Sequence, residues 1–389
     1  MKKQLNIGIV GTKFMGRAHS NAWLNASHFF DTPYVPVLKA VSAQDLDATK
    51  AFAENWGYAE IESDWRVLVE RPDIDVIDIC TPTASHYEIA VAAAAAGKHV
   101  LCEKPCALSS AQATEMAEAA DKAGVVHYLN HNYRRVPAIA FAKKLIGEGK
   151  IGTVYHWRGA YLQDWVMDPN FPLTWHQKKE IAGGGSHFDL SSHAIDVARY
   201  LIGEIDTVSA MLKTFVTERP LPVEGATRFK SGTFEDVGEK GKVTVDDASF
   251  MLASFENGAL GSFESTRFAG GRKNYNYFEL YGSKGSILFN LEQMNELQFA
   301  SLDDPQDEQG FKTIQVTNDT HPFMKAWWAP GHIIGYGNTF LHAVSDIMQA
   351  IKAGGSITPN FWDGAKIMRV LEAGELSSKE GRAVKISEM

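Results

Sequence analysis

The stretch "IGIVGTKFMGRAH" at residues 7–19 decides the fold of this chain. An aliphatic run typical of a strand leads into a glycine-containing turn, and a helical pattern opens at Phe14. Gly11, Lys13 and Gly16 occupy the positions at which a dinucleotide-binding turn usually has three glycines. Because the turn lies between a strand and a helix, a pyrophosphate can rest on the helix N-terminus. This context predicts a dinucleotide site despite the missing middle glycine.

Lys13 is the departure from that pattern, since the middle glycine normally lets backbone amides approach the phosphates. Two interpretations are open. In the first, the ammonium group attracts the pyrophosphate and compensates for the lost amide approach. In the second, the side chain points into water and takes no part in binding.

Short β-rich runs alternate with helical patterns from residue 4 to about residue 130. The runs are "LNIGIV", "VPVLKAVS", "IDVIDICT", "KHVLCE" and "VVHYLN", with helices expected from Phe14, Asp45, Ser85 and Ser109. Either Ser109 or Ser110 can cap the last of these helices, and Gly124 is a good helix end. Strands separated by helices of this length form βαβ units and a parallel sheet. Residues 1–130 are therefore predicted to form an α/β, doubly wound Rossmann domain that binds a dinucleotide.

Longer alternating runs follow beyond about residue 150. Strands are predicted at 207–216, 246–256, 259–268, 275–282 and 285–290. Tight connections such as Glu256-Asn257-Gly258 predict antiparallel neighbours. Residues 131–389 are therefore predicted to form an α+β domain for substrate binding and oligomerisation, with a large, mostly antiparallel open sheet.

Three segments of this second domain carry further expectations. The Gly- and Pro-rich segment 217–244 is interpreted as a long excursion, and helices are expected at 336–352 and 362–376, the last packing back on the first domain. The strand at 207–216 is apolar on one face and mixed on the other, which suits either a subunit contact or a loosely covered surface. A homo-oligomer, dimer or tetramer, is expected through this sheet.

Composition bounds the partners. The chain has 389 residues, 45% of them apolar, and a net charge of -9, which disfavours nucleic acid and anionic membranes. Its three cysteines match neither a disulfide framework nor a zinc ribbon, so no metal is expected. We expect the cysteines to be reduced and the protein to be cytoplasmic. The apolar run in the first residues is short for a signal peptide, so none is expected, and no run approaches the length of a bilayer span.

Three side chains point to chemistry. Lys104 directly follows the predicted strand "KHVLCE", and ligands bind beyond the carboxyl ends of such strands. Asp189 and His193 are four residues apart, which predicts that they share one face of one helix. Each also has a purely structural interpretation: a solvated loop charge for Lys104, a helix-terminal acid for Asp189 and a satisfied interior histidine for His193.

These residues resemble the Gfo/Idh/MocA family of sugar and inositol oxidoreductases over nearly the whole chain. The resemblance rests on the opening turn, "DVIDICTPTASHYEIAVAAAAAGKHVLCEKP", "NYRR" at 132–135 and "IAGGGSHFDLSSHAIDVARYLIG". "GAYLQDWVMDPNFPLTW" at 159–175 and "GYG" at 335–337 are similar to the pyranoside-oxidising branch of the family.

The resemblance implies an NAD-dependent oxidoreductase that transfers a hydride between a ring hydroxyl of a sugar or glycoside, expected at C3, and nicotinamide. It implies that His193 is the base, that Lys104 hydrogen-bonds the reacting oxygen and that Asp189 orients the substrate or the other two groups. Whether Lys104 or His193 takes the proton stays open. An alternative is a glycoside-cleaving enzyme that uses catalytic NAD through a 3-keto intermediate and elimination; a nucleotide-binding regulatory protein is a third hypothesis, disfavoured by the intact catalytic set.

The expected binding residues form two sets. The cofactor set is Gly11, Lys13, Phe14, Met15, Gly16, Ser42, Gln44, Thr81, Pro82, His86, Glu103, Lys104, Asn132, Trp175 and His176. The substrate set is Lys104, Tyr133, Arg134, Tyr161, Gln163, Trp165, Asp189, His193, His332 and Tyr336. Ser42 and Gln44 can bind ribose hydroxyls, and no arginine stands ready for a 2′-phosphate, which favours NAD while leaving NADP possible.

Three departures from the family pattern bear on the cofactor and the substrate: Lys13, His176 after Trp175, and the run Ser186-His187-Phe188. His187 is a candidate for the additional acid or base that the glycoside-cleaving alternative requires.

Overall fold

The computed structural model describes residues 2–222 and 238–389. It divides into two compact units, the first made of Met1–Val136 and Phe323–Lys366, the second of Pro137–Pro322 and Ile367–Met389. Each unit has its own β-sheet.

The first unit contains a parallel sheet of six strands in the order β3-β2-β1-β4-β5-β6. The elements are β1 (Lys3–Val10), α1 (Phe14–Phe29), β2 (Tyr34–Ser42), α2 (Leu46–Trp56), β3 (Glu60–Glu62), α3 (Trp65–Glu70), β4 (Val76–Ile79), α4 (His86–Ala95), β5 (His99–Cys102), α5 (Ser110–Ala123) and β6 (His127–Leu129). The strand order reverses between β1 and β4, which in such sheets is where ligands bind beyond the strand ends. The predicted doubly wound Rossmann fold is confirmed.

The second unit contains a sheet of nine strands over its described residues, in the order β16-β15-β14-β13-β7-β12-β11-β8-β17. Its elements up to β16 are α6 (Pro137–Gly147), β7 (Val154–Leu162), α7 (Lys179–Ala182), α8 (Ser186–Asp189), α9 (Ser191–Leu201), β8 (Ile205–Lys213), β9 (Glu218–Pro220), β10 (Lys240–Lys242), β11 (Ala248–Phe255), β12 (Leu260–Thr266), β13 (Tyr275–Gly282), β14 (Gly285–Asn290), β15 (Glu296–Ser301) and β16 (Lys312–Gln315). The β7–β12 pair is parallel and the other neighbours are antiparallel. The predicted mostly antiparallel sheet is confirmed.

The segment expected to be a long excursion begins and ends as an antiparallel pair. β9 pairs with β10, with Lys240 opposite Pro220 and Lys242 opposite Glu218. The middle of that segment, residues 223–237, lies outside the described residues.

The last elements are α10 (Asn338–Ala353), α11 (Phe361–Glu380) and β17 (Val384–Lys385). The division of the chain differs from two consecutive domains meeting at residue 130, because residues 323–366 join the first unit. The reason is apolar packing: Phe340, Val344 and Met348 of α10 are buried in one core with Trp23 of α1. The helix that returns to the first unit is thus α10, followed by the beginning of α11.

Candidate active site

Two glycines shape the turn between β1 and α1. Gly11 has φ +108, and a Cβ there would lie 2.6 Å from the carbonyl oxygen of Cys80. A Cβ on Gly16 would lie 2.2 Å from the carbonyl oxygen of Gly11. Both distances are too short for any side chain, so only glycine fits either position.

Lys13, the middle residue of the turn, is accommodated without strain. It caps the N-terminus of α1 with φ -82 and ψ -150, an extended conformation open to any residue, and its side chain is exposed. No side chain caps α1, and its first turn contains no acidic residue. A helix N-terminus of this kind, after a strand and two obligatory glycines, fits the pyrophosphate of a dinucleotide.

The other cofactor residues expected at the strand ends vary in exposure. Ser42, at the end of β2, is buried and accepts a hydrogen bond from Gly11 through its carbonyl (N···O 2.9 Å). Gln44 and Pro82 are exposed, and Thr81 is half-buried. Met15 is packed against the apolar core of the unit.

The first unit contains a buried polar cluster of which sequence reasoning singles out only Glu103. His19 of α1 hydrogen-bonds Asp78 of β4 through Nδ1 (2.8 Å) and Glu103 through Nε2 (2.8 Å). Burial lowers the pKa of His19, but the charges and hydrogen bonds of Asp78 and Cys80 together outweigh burial and hold that pKa well above its usual value. His19 is therefore an imidazolium that donates to two carboxylates. We call His19, Asp78 and Glu103 the His19 cluster.

Glu103, predicted as a cofactor contact, is buried and supports the backbone beside it. Its carboxylate is 3% exposed, receives Nδ2 of Asn130 at 2.6 Å and accepts the backbone N–H of Lys104 at 3.2 Å. Burial would raise the pKa of Glu103, but hydrogen bonding and charge from His19 bring it below the usual value. Glu103 is thus an ionised interior support for the backbone of Lys104.

His86, which is also predicted as a cofactor contact, is an interior residue. Its ring lies 2.9 Å from the carbonyl oxygens of both Pro105 and Thr81, and it is 1% exposed. Burial lowers its pKa. Asn132 is buried as well, with its amide donating to the Thr339 hydroxyl at 2.8 Å.

Three aromatic residues predicted for cofactor and substrate lie together in the first unit. Tyr336 stacks on Phe14, with ring centroids 6.2 Å apart, and meets Tyr133 edge-on at 6.3 Å. Arg134 is buried and pairs with Asp363 at 3.3 Å. His332 is exposed, and its Nδ1 lies 2.9 Å from the carbonyl oxygen of Ala329.

In the second unit, Asp189 and His193 lie on two successive helices, which corrects the predicted single helix. Asp189 ends α8, and His193 lies in the first turn of α9, with Leu190 between the two helices. The backbone N–H of His193 bonds to Leu190 at 3.1 Å, while the carbonyl of Asp189 accepts the Ser192 hydroxyl at 3.1 Å. This side-chain hydrogen bond competes with the helical one and breaks the pattern at Leu190.

The glycine-rich run before α8 is fixed by Asp246. Oδ1 of Asp246 accepts the N–H of Gly185 at 2.9 Å, and Oδ2 accepts the N–H of His187 at 2.8 Å and the Ser186 hydroxyl at 2.6 Å. A Cβ on Gly185 would lie 1.8 Å from the carbonyl oxygen of Asp246. The carboxylate therefore holds the N-terminus of the short helix that ends at Asp189.

His187 is a satisfied interior histidine, so the expectation of an extra acid or base there is wrong. It is 0% exposed, and Nε2 donates to the carbonyl of Leu371 at 2.9 Å. Nδ1 then accepts the hydroxyl of Ser249 at 2.8 Å. With both ring nitrogens engaged and no exposed surface, His187 has no access to a substrate.

A continuous network joins five of the predicted substrate residues. Nη2 of Arg267 pairs with Oδ2 of Asp189 at 2.6 Å, and the Arg267 guanidinium lies 5.2 Å from the ring centroid of Trp165. Nε1 of Trp165 donates to Gln163 at 2.8 Å. The network thus far connects Asp189, Trp165 and Gln163.

The network continues through Asn274, whose Oδ1 accepts both the Gln163 amide at 2.9 Å and the Tyr161 hydroxyl at 2.7 Å. The ring of Tyr161 lies 5.8 Å from that of His193. Sequence reasoning missed Arg267 and Asn274. The position of Arg267 directly after the β12 strand end was the available signal.

Trp175 and His176, predicted for the cofactor, extend this aromatic group in the second unit. Their rings stack at 3.8 Å, and His176 meets the Trp165 ring at 5.5 Å. Nδ1 of His176 lies 3.2 Å from the Thr174 hydroxyl.

One group of described residues has ligand atoms close enough for a metal: His19, Asp78 and Cys80, within 4.8 Å of one another. Burial raises the pKa of the Cys80 thiol, which opposes the thiolate that a metal requires. The hydrogen bonds between His19 and Asp78, together with one from Trp23 to Asp78 at 2.7 Å, account for the proximity of these atoms.

Comparison with known proteins defines the enzyme class to which the chain belongs. The model of the oxidoreductase family with an NAD-binding Rossmann fold matches residues 5–131, and that of the Gfo/Idh/MocA C-terminal domain matches residues 139–288. The chain belongs to the Gfo/Idh/MocA family of NAD-binding oxidoreductases. The expected family, reaction class and NAD cofactor are confirmed.

The similar proteins include enzymes with a named sugar substrate. The levoglucosan dehydrogenase of Pseudarthrobacter phenanthrenivorans is 44% identical over 374 residues, which cover 95% of each chain. A levoglucosan dehydrogenase solved with NADH and levoglucosan has a TM-score of 0.92 at 42% identity over 100% of both chains. An oxidoreductase domain protein from Kribbella flavida has a TM-score of 0.93 at 46% identity, covering 99% of this chain and 100% of that one.

None of the helices in the part of the chain that the structure describes combines the length and apolar character that a bilayer crossing needs.

Proposed function

We propose that this protein oxidises a ring hydroxyl of a pyranose or anhydro-pyranose, at C3, with levoglucosan as the first candidate substrate. The observation that carries the proposal is the network of the second unit, which groups Asp189, His193 and Tyr161 with Gln163 and Trp165. Aromatic faces beside hydrogen-bonding groups suit the C–H and hydroxyl surfaces of a sugar. The likeness to levoglucosan dehydrogenase over 95% of the chain supports the same substrate class.

The residues of this chain supply binding and proton transfer, and NAD, when bound, accepts the hydride. We assign Asp189, held by Arg267, to accept a hydrogen bond from a sugar hydroxyl. Lys104, whose backbone is supported by Glu103, donates to the reacting oxygen and stabilises the negative charge that develops on it. His193 takes the hydroxyl proton in this scheme; Lys104 is the other candidate.

The preference for NAD over NADP follows from the end of β2. After Ser42 the chain reads "AQDLDAT", without a basic residue for a 2′-phosphate. Asp45 is occupied as the cap of α2, accepting the N–H of Ala48 at 3.0 Å, which leaves Gln44 exposed as the ribose partner.

The test is a substrate screen with the purified protein. NADH absorbance is followed with NAD or NADP and a panel of sugars that includes levoglucosan, and NMR assigns the oxidised carbon. Lys104→Met should lower kcat about 10²-fold or more while NAD binding stays within about twofold. A Lys104→Met enzyme with normal turnover would remove Lys104 from the mechanism.

The same screen separates the glycoside-cleaving alternative. Aglycone release with catalytic NAD and no net NADH would support cleavage, whereas NADH accumulation with an intact glycoside supports the dehydrogenase. His187, the candidate for an extra acid or base in that alternative, is buried, which favours the dehydrogenase as the first function to test.

We also propose that the protein forms a homo-oligomer, dimer or tetramer, through its larger sheet. On β8 and β11 the side chains of Met211, Phe250 and Leu252 are 76%, 53% and 65% exposed. Such a patch is typical of a covered interface. Met211→Lys should shift the mass measured by light scattering towards the monomer, and Leu24→Lys, an exposed change on α1, should not.

A cytoplasmic location is proposed as well, because the three cysteines are buried, unpaired thiols.

A further inference from the structure

We propose that Arg267 is a positioning residue for the reaction: it keeps Asp189 ionised and fixes the direction of its carboxylate. The inference rests on the proposed function, in which Asp189 receives a sugar hydroxyl. Arg267 itself does not touch the substrate in this scheme and acts through Asp189.

The first observation is the ion pair itself. Nη2 of Arg267 lies 2.6 Å from Oδ2 of Asp189, and the two side chains are 2% and 27% exposed. An arginine remains charged in proteins, so a guanidinium this deeply buried requires a counter-charge. Among the described residues, Asp189 is the carboxylate within ion-pair distance of Arg267.

The neighbouring charged groups have other partners. Asp247 accepts the backbone N–H groups of Phe215 at 2.6 Å and Val216 at 3.0 Å, and burial raises its pKa. Arg219 donates to backbone carbonyls, including that of Val166 at 2.6 Å. Burial lowers the pKa of Arg219, and the charge of Arg267 adds a smaller contribution in the same direction. Burial thus disfavours the charged forms of both neighbouring groups, so an unpaired charge on Arg267 in the same region would also be unfavourable, and Asp189 provides its counter-charge.

Trp165 packs against the guanidinium of Arg267. Its ring centroid lies 5.2 Å from Cζ of Arg267, a cation–π arrangement, and its indole N–H is held by Gln163 at 2.8 Å. The backbone of Arg267 is tied to Asp247, with its N–H 3.3 Å from that carbonyl oxygen. The ring contact and the backbone bond together limit where the guanidinium can lie, and its hydrogen bond from Nη2 to Oδ2 then sets the direction of the Asp189 carboxylate.

The chemical consequence concerns the protonation of Asp189. A carboxylate accepts a hydrogen bond from a sugar hydroxyl, whereas a protonated carboxyl in the same place competes as a donor. A positive charge 2.6 Å away favours the ionised form of Asp189. The site can therefore still bind the sugar hydroxyl at a lower pH than it could without Arg267. The other titratable groups of the network are Tyr161, which is joined to it through Asn274, and His193, whose ring lies beside that of Tyr161.

The experiment compares Arg267→Gln and Arg267→Lys with a matched control, Arg199→Gln. Arg199 is another arginine of the second unit, 4% exposed and bound to Glu204 by two hydrogen bonds of 2.8 and 2.9 Å. It lies outside the residues assigned to binding or proton transfer. The measurement is the pH profile of kcat/KM for levoglucosan, with kcat and KM separated.

In Arg267→Gln the acid limb of the profile should move up by about one pH unit or more, and KM should rise about tenfold. Arg267→Lys keeps the charge but lacks the planar fork over Trp165. Its acid limb should therefore lie between those of Arg267→Gln and the wild type, and its KM should stay closer to that of Arg267→Gln. Arg199→Gln should lower Tm and leave the acid limb in place. An unchanged acid limb in a folded Arg267→Gln protein would overturn the proposal. If that variant does not fold, an Arg267→Lys enzyme with both the acid limb and the KM of the wild type would overturn it.

Failure of the proposed function is distinguishable from failure of this inference. If the wild-type protein oxidises no sugar, the function fails. The titration of Asp189 is then followed directly by carbon NMR, with Asp189→Asn identifying the signal. Equal titration midpoints in wild type and Arg267→Gln would refute the role of Arg267, and a higher midpoint in the variant would support it.

Discussion

Replacing His19 by glutamine should destabilise the first unit, because the imidazolium lies between two buried carboxylates. His19 and Asp78 are 1% and 0% exposed, and the ring bonds Asp78 and Glu103 at 2.8 Å each. Glutamine can replace one hydrogen bond but not the positive charge, so two carboxylates remain buried together. Removing one partner of a buried ion pair costs about 3–5 kcal/mol. For a unit of this size that corresponds to a Tm lower by roughly 6–20 °C.

The effect should depend on pH in a defined direction. The pKa of His19 is raised in the folded protein, so folding favours the protonated ring. This stabilisation is complete below the unfolded value of about 6.5 and is lost as pH rises through the folded pKa. The difference between wild type and His19→Gln should therefore be largest near about pH 6 and shrink in alkaline solution.

The assay is thermal and urea denaturation of both proteins across that pH range. The control is His28→Gln, an exposed position in the last turn of the same helix, which should change stability by about 0.5 kcal/mol or less. A loss below about 1 kcal/mol for His19→Gln, or one that grows with pH, would refute the charged interpretation of the His19 cluster.

The remaining predictions concern the cofactor turn and the helix that carries Asp189. Gly11→Ala should cost about 2 kcal/mol or more and weaken NAD binding measured by calorimetry, since φ is +108 and the Cβ meets Cys80 at 2.6 Å; Gly57→Ala, with φ +79 and nothing within 4 Å, should cost less and leave NAD binding intact. Lys13→Glu should weaken NAD binding by about 1 kcal/mol while Lys13→Gly is tolerated; equal affinities for wild type and Lys13→Glu would show that the side chain points into water. Asp246→Asn should lower stability by about 1–2 kcal/mol in denaturation and reduce kcat/KM, because Asp246 receives the N–H groups that start α8; unchanged values in both assays would contradict this role.

Local patterns were sufficient for the fold. The Ser109 hydroxyl, one of the two predicted caps, accepts the N–H of Gln112 at 3.2 Å, and Gly124 ends that helix in the left-handed conformation as predicted. The strand alternation of the first domain and the antiparallel pairing of the second are likewise confirmed, because they depend on periodicities and turns within short windows.

Tertiary contacts account for the corrections. Nothing within 336–352 indicates that α10 packs beside Trp23, since that contact joins residues more than three hundred positions apart. Spacing alone predicts one helix for Asp189 and His193, but the Ser192 side chain interrupts it at Leu190. His187 has the residue type of an acid or base, and only its burial between Ser249 and Leu371 shows otherwise.

The backbone conformation at Lys13 explains why a lysine fits at the middle position of the turn, which the sequence alone does not show. A middle glycine is required where φ is positive, and here φ is -82, so a side chain is allowed. Arg267 and Asn274 escaped notice for a related reason: a basic residue after a strand and an asparagine in a turn are common, and their significance lies in contacts with Asp189 and Tyr161.

The most direct test of the account is hydride transfer from a defined carbon. Levoglucosan carrying deuterium at C3 is incubated with the protein and NAD, and the reduced cofactor is analysed by mass spectrometry. The account predicts that the deuterium is recovered on the nicotinamide and that the sugar becomes the 3-ketone. Reduced cofactor without deuterium, or labelled sugar recovered unchanged while other sugars are equally inert, would contradict it.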